Sequence, residues 1–172
     1  MKAQIQFMKV RNVKSPQRKP GDAGIDMFIP EFSQELVDYI RLKNPTFEEE
    51  GGRLSQTDIV IPAGVGIIIP TGLKYKIPGN VALIQFTKSG VGAKKKLDCF
   101  NGVGDSTYQG ELHIHLINQG SGPQSVEYGE KITQFVPVEY NTSEISVEDF
   151  NEKFFDRKTE RGEGGFGSTG NK

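Results

Sequence analysis

The chain of 172 residues holds a single cysteine, Cys99, so no intrachain disulfide can form and a reducing compartment is expected. Its two histidines are too few for a histidine-rich metal cage, and a zinc site would have to draw on carboxylates. Neither sign of charge is in excess: 21 Lys and Arg stand against 22 Asp and Glu, a formal net charge of −1. That balance supplies no global field to attract nucleic acid or an anionic membrane. No apolar run approaches the ~20 residues of a membrane-spanning helix. The opening MKAQIQFMKV mixes polar and apolar residues and lacks the apolar stretch of a signal peptide. The expectation is a soluble, intracellular, single-domain protein.

What is present is a series of short strand-like runs punctuated by Gly and Pro. They are Ala3 to Val10, DIVIP (58–62), GIIIP (66–70), GLKYKIP (72–78), NVALIQF (80–86), GELHIHLIN (110–118) and KITQFVPV (131–138). In GLKYKIP, Leu73, Tyr75 and Ile77 alternate with lysines; in GELHIHLIN, Leu112, Ile114 and Leu116 share a face. KITQFVPV reads with Ile132, Gln134, Val136 and Val138 on one face, which makes Gln134 a buried polar residue in need of a partner. Evenly spaced short strands predict an all-β barrel or jelly roll. FSQELVDYIRLKNP (32–45) breaks the pattern with Leu36, Val37 and Ile40 at helical spacing. Ser33 is its expected N-cap, Phe32 and Val37 a hydrophobic staple, and Asn44-Pro45 its end. Residues 31–57 therefore read as a helical insertion, which as a surface loop need carry no function.

Four stretches carry the chemistry. NGVGDSTYQGEL (101–112) predicts a glycine-rich hairpin whose open backbone groups can pair with a planar base. Asp105 there can activate a water as general base, and Tyr108 offers a ring to a sugar. TKSGVG (87–92) presents Lys88, Ser89 and Gly90 in a strand-end turn suited to an anion. Asp26 in AGIDMF (23–28) lies in an apolar run, costly unless paired or near a metal. RGEGGFGSTG (161–170) can be a flexible glycine tail or a phosphate-binding segment, with Arg161, Phe166, Ser168 and Thr169 resisting the first reading. His113 and His115, the Lys94 to Lys96 run, Cys99 and Phe154-Phe155 read as structural or solvated.

In chain order, AGIDMF, TKSG, GVGDSTYQGEL, GEKITQFV and RGEGGFGSTG resemble the five motifs of the trimeric deoxyuridine triphosphatase (dUTPase) family. The resemblance implies a jelly-roll β-barrel core over 1–157, with 31–57 inserted in it, and a C-terminal arm over 158–172. It implies a homotrimer with active sites at subunit junctions. The reaction would convert dUTP and water to dUMP and pyrophosphate, with Mg²⁺ on the triphosphate. Asp105 would activate the attacking water; Asn101, Gly102, Val103 and Gly104 would bind the base; Tyr108 would lie against deoxyribose. Lys88, Ser89 and Gly90 would hold the α and β phosphates, and Gln134 would contact the α-phosphate region. Asp26 would act on the metal's water shell. Arg161, Ser168 and Thr169 would clamp the γ-phosphate, with Gly167 in the same substrate-binding set, while Phe166 covers uracil.

Two positions depart from the family pattern. Lys88 stands where Arg is usual and loses the bidentate fork. Gly104 stands where a bulky aliphatic is usual and gives the hairpin extra freedom. The long insertion suggests a phage or viral member. Two alternatives are a dCTP deaminase on the same fold and a member that also binds a repressor-type protein through 31–57.

Overall fold

The computed structural model describes residues 4–100 and 102–141. In chain order the elements are β1 (Gln6–Lys9), β2 (Ile25–Phe28), α1 (Gln34–Lys43), β3 (Arg53–Leu54), β4 (Asp58–Ile61) and β5 (Gly66–Pro70). They continue with β6 (Leu73–Lys76), β7 (Val81–Thr87), α2 (Ser89–Lys95), β8 (Leu97–Cys99), β9 (Val103–Gly104), β10 (His113–Asn118), β11 (Gln124–Glu127) and β12 (Lys131–Glu139). Among the described residues the strands form four antiparallel sheets, ordered β1-β6, β5-β10-β8, β11-β4-β3 and β2-β12-β7-β9. The expected all-β, jelly-roll-like fold is present, as sheets around shared cores rather than one closed hydrogen-bonded barrel.

Alternation places the strands. On β10, Ile114 and Leu116 are fully buried while His113, His115 and Ile117 are part-exposed. The same period buries Ile59 and Ile61 of β4 and Ile67 and Ile69 of β5. On β12 the expected face fails. A register irregularity between Lys131 and Thr133 shifts the period, so Ile132, Thr133 and Phe135 are buried and Gln134 is only half-buried. A bulge of this kind re-aims every side chain after it.

The insertion is not surface decoration. Ser33 caps α1, its hydroxyl oxygen accepting from the Leu36 N–H at 3.2 Å. Phe32 and Val37, the staple pair, join Leu36, Ile40 and Phe47 in the cluster built by Ile59, Ile61, Ile67, Ile69, Ile114 and Leu116. Asn44 ends the helix and ties it to β5: its side-chain amide donates to the Ile68 carbonyl and accepts from the Ile68 N–H. A second cluster holds Val13, Met27, Leu73, Tyr75, Leu83, Leu112 and Phe135. It lies under the hairpin that follows β8.

Candidate active site

The hairpin is positioned by β9, whose Val103 and Gly104 pair with Ile84 and Leu83 of β7. A turn follows, closed by a 3.1 Å bond from the Tyr108 N–H to the Asp105 carbonyl. Gly102, Val103, Gly104, Asp105 and Tyr108 all line one cleft of about 170 Å³. Asp105 is exposed at its lip. Tyr108 stands half out of the protein, its hydroxyl donating to the Glu111 carbonyl at 3.0 Å. Gly110 is what lets the phenol lie there, since a Cβ at that position would fall 2.2 Å from the Tyr108 hydroxyl.

Side chains from strands remote in sequence form the rest of the cleft, among them Tyr75, Gln85, His113, His115 and Phe135. Tyr75 is nearly buried, and its ring tilts against Tyr108 with centroids 6.3 Å apart. Burial, with Asp105 and Tyr108 nearby, pushes its phenol up to about 12, so the group stays a donor. Gln85 is fully buried and its backbone N–H donates to the Gly102 carbonyl at 3.1 Å. Burial also holds His113 and His115 below the usual imidazole value, against an opposing pull from Glu111 on His113. Both are therefore neutral near pH 7, and the cleft's remaining carboxylate, Glu111, is paired with Arg11 at 2.9 Å, which suits an uncharged base. From sequence, Tyr75 is placed only on the face of GLKYKIP that alternates with lysines, the histidines read as structural or solvated, and nothing singles out Gln85. Their strand faces were legible, but the hairpin they meet was not.

A second group forms apart from this cleft. Asp26 on β2 faces Gln134 on β12, which faces Phe86 on β7. Lys88, just past β7, bonds Asp26 Oδ1, and Lys131 Nζ reaches Oδ2 at 3.2 Å. Burial alone would raise the Asp26 carboxyl, but the two lysines hold it below its ordinary value. Asp26 is thus the paired carboxylate that its apolar surroundings require. Gln134 Nε2 donates to the Thr87 carbonyl at 3.3 Å. The expected turn at 87–92 is instead the start of α2, with Lys88 as N-cap, and Ser89 and Gly90 exposed. None of Asp26, Lys88, Ser89, Gly90 or Gln134 lines the Asp105 cleft. Asn101, Arg161, Phe166, Gly167, Ser168 and Thr169 lie outside the described residues, as does the expected boundary at 157.

Among the described residues no cluster of three or more His, Cys, Asp or Glu side chains could cage a metal. No helix there is long and apolar enough to cross a membrane.

Comparison with known proteins brings these features together. The family described as dUTPase matches residues 54–170. The deoxyuridine 5'-triphosphate nucleotidohydrolase of Haemophilus influenzae is 38% identical over 136 residues, covering 73% of this chain and 86% of the relative. That of Desulfitobacterium hafniense is 40% identical over 116 residues, covering 66% and 74%. The fold resembles that of the Staphylococcus bacteriophage 80alpha dUTPase bound to dUPNHPP, with a TM-score of 0.70 at 23% identity, covering 97% of this chain and 98% of the neighbour. It also resembles the dUTPase of Staphylococcus aureus phage phi11, solved to show its species-specific insert, at TM-score 0.64 and 21% identity, with coverage of 88% and 99%. Matched along more than half its length, and more than one third identical to curated relatives, the chain belongs to the dUTPase family.

Proposed function

We propose that the protein is a dUTP diphosphatase that hydrolyses dUTP to dUMP and pyrophosphate, with Asp105 as general base. The observation that carries this reading is the placement of Asp105. It is an exposed carboxylate at the lip of a cleft whose two imidazoles are uncharged, beside main-chain groups of the 102–104 hairpin and the face of Tyr108. Uracil enters the cleft and is read by that hairpin, and deoxyribose lies against Tyr108, where a 2′-hydroxyl meets the ring. Asp105 takes a proton from water as the water oxygen attacks the α-phosphorus. The bond from that phosphorus to the bridging oxygen breaks, and pyrophosphate leaves with the electron pair. The cleft's other carboxylate, Glu111, accepts from Arg11 Nε at 2.9 Å and from the Gly72 N–H at 2.8 Å, so it is engaged away from the water beside the base's C4 that deamination of dCTP would require.

Family members use a divalent metal, and a phage phi11 dUTPase variant has been solved with a structural Mg(II) ion. The residues of this chain fit a Mg²⁺ carried on substrate phosphates, because that ion keeps several waters and needs few protein ligands. Bound there, it supplies charge neutralisation of the triphosphate. Asp26, which keeps lone pairs beyond those given to Lys88 and Lys131, would accept from the metal's water shell.

A trimer with shared sites explains why the residues fall into two separate groups. The hairpin of one subunit holds the nucleoside, and the Lys88, Ser89, Gly90 and Gln134 group of a neighbour holds the phosphates. Arg161, Gly167, Ser168 and Thr169 complete the phosphate grip, and Phe166 covers the base. A protein partner, such as a repressor, would engage 31–57 on the outer side of α1, where Leu42 is 75% exposed.

Asp105→Asn tests the assignment. With dUTP and Mg²⁺, the variant loses on the order of 10²–10⁴ in kcat while still binding a non-hydrolysable dUTP analogue. A variant that keeps most of its rate sinks the general-base role. Ammonia released from dCTP, without pyrophosphate from dUTP, sinks the substrate.

A further inference from the structure

The Asp105 carbonyl accepts two hydrogen bonds. One comes from the Tyr108 N–H at 3.1 Å and closes the turn. The other comes from the Tyr75 hydroxyl at 3.0 Å, from β6, 30 residues earlier in the chain. A carbonyl oxygen has two lone pairs, so this one is saturated and the peptide plane following Asp105 is held from two directions. The residue before it is held too, because Gly104 pairs with Leu83 of β7. The carboxylate is exposed, yet its Cα sits on backbone fixed on both sides.

The path from Tyr75 to that carbonyl runs over Gly104. A Cβ added at Gly104 would lie 2.7 Å from the Tyr75 hydroxyl oxygen and 3.1 Å from Cζ. Real Cβ atoms do not approach so closely, so a side chain at 104 and the phenol at 75 compete for one volume. The extra freedom expected of Gly104 is therefore absent, since the tyrosine fills the space and pins the next residue.

We propose that Tyr75 is a positioning residue for hydrolysis: its hydroxyl, admitted by the missing side chain at Gly104, fixes the peptide that carries Asp105. The proposal rests on Asp105 being the general base. Its phenol remains a proton donor throughout the working pH range, so the anchor does not titrate away.

Tyr75→Phe keeps the ring and removes the bond. Its kcat falls about tenfold, the scale of a modest misplacement of a reacting group, while KM for dUTP stays within about threefold. Gly104→Ala pushes the phenol off the carbonyl and causes a similar loss of kcat. In a Tyr75→Phe background the same alanine costs less than about threefold, because the bond is already gone. In an Asp105→Asn background, measured in single turnover, Tyr75→Phe costs nothing further. Wild-type kcat in Tyr75→Phe overturns the proposal, as does a loss confined to KM. An equal loss with and without Asp105 also overturns it, since Tyr75 would then act elsewhere. If Asp105→Asn itself keeps the rate, the general-base reading has failed, and that result is read from a different variant.

Discussion

The two buried clusters are built from similar aliphatic residues, yet they serve different ends. The one capped by α1 is closed: Phe32, Leu36, Ile40 and Phe47 are at most 2% exposed, and its members are apolar. The one beneath the hairpin ends at a cleft. It includes Tyr75, and the buried Gln85 lines the same cleft, its amide donating to the Thr133 hydroxyl at 3.4 Å. A closed apolar cluster gains free energy from each buried methylene and asks for no particular geometry beyond close packing. The cluster under the cleft gives up some of that gain for polar anchors that aim backbone at a ligand. Stability is thus concentrated under the insertion and positioning under the hairpin, so substitutions in the two places should fail differently.

Leu36→Ala makes the largest break. Leu36 is fully buried, and truncation there costs about 2–5 kcal/mol of unfolding free energy. Turnover per folded molecule stays at the wild-type level, because nothing from α1 lines the Asp105 cleft. Chemical denaturation followed by dUTP hydrolysis on the folded fraction measures both, and a selective loss of kcat would erase the division. Removing all of 31–57 exceeds what the fold can absorb, so such a deletion cannot report on a partner. Ser33→Ala is milder. It leaves the Leu36 N–H without its cap and costs about 1 kcal/mol. A Ser33→Asp variant that keeps a capping oxygen should recover that stability, again without touching kcat.

The same division marks what could be read from sequence. The α1 spacing, its cap, its staple and the strand alternation are local patterns, and each appears where the pattern puts it. Gln134 was misplaced because alternation counts residues, and the bulge between Lys131 and Thr133 adds one that no residue type announces. Asp26 in an apolar run signals that a partner must exist. Lys88 and Lys131 lie 62 and 105 positions away, so only the sheet order β2-β12-β7 identifies them. For Tyr75 the buried face was legible and the hydroxyl's target was not. At Gly104 the missing side chain was visible as extra freedom, and the group that removes that freedom comes from another strand.

The smallest expected effect concerns pH and belongs to the cleft side. His113 and His115 are held below the usual imidazole value of 6.5, chiefly by burial. Glu111 pulls His113 the other way, while His115 and Lys43 add to the lowering. Below that value the unfolded chain binds protons that the folded chain refuses. The histidines' contribution to stability is therefore level above about pH 6.5 and turns unfavourable as pH falls toward the depressed folded values. Denaturation curves at about pH 7.5 and about pH 5.5 measure the decline. A His113→Gln, His115→Gln double variant should flatten that interval, whereas Leu36→Ala should lower the whole curve and leave its slope unchanged. Asp26 works in a lower window: its pairing stabilises fully above its ordinary 3.8 and is lost as pH falls through its depressed value. If the double variant keeps the wild-type slope between the two higher pH values, the histidines on the cleft floor are not its source.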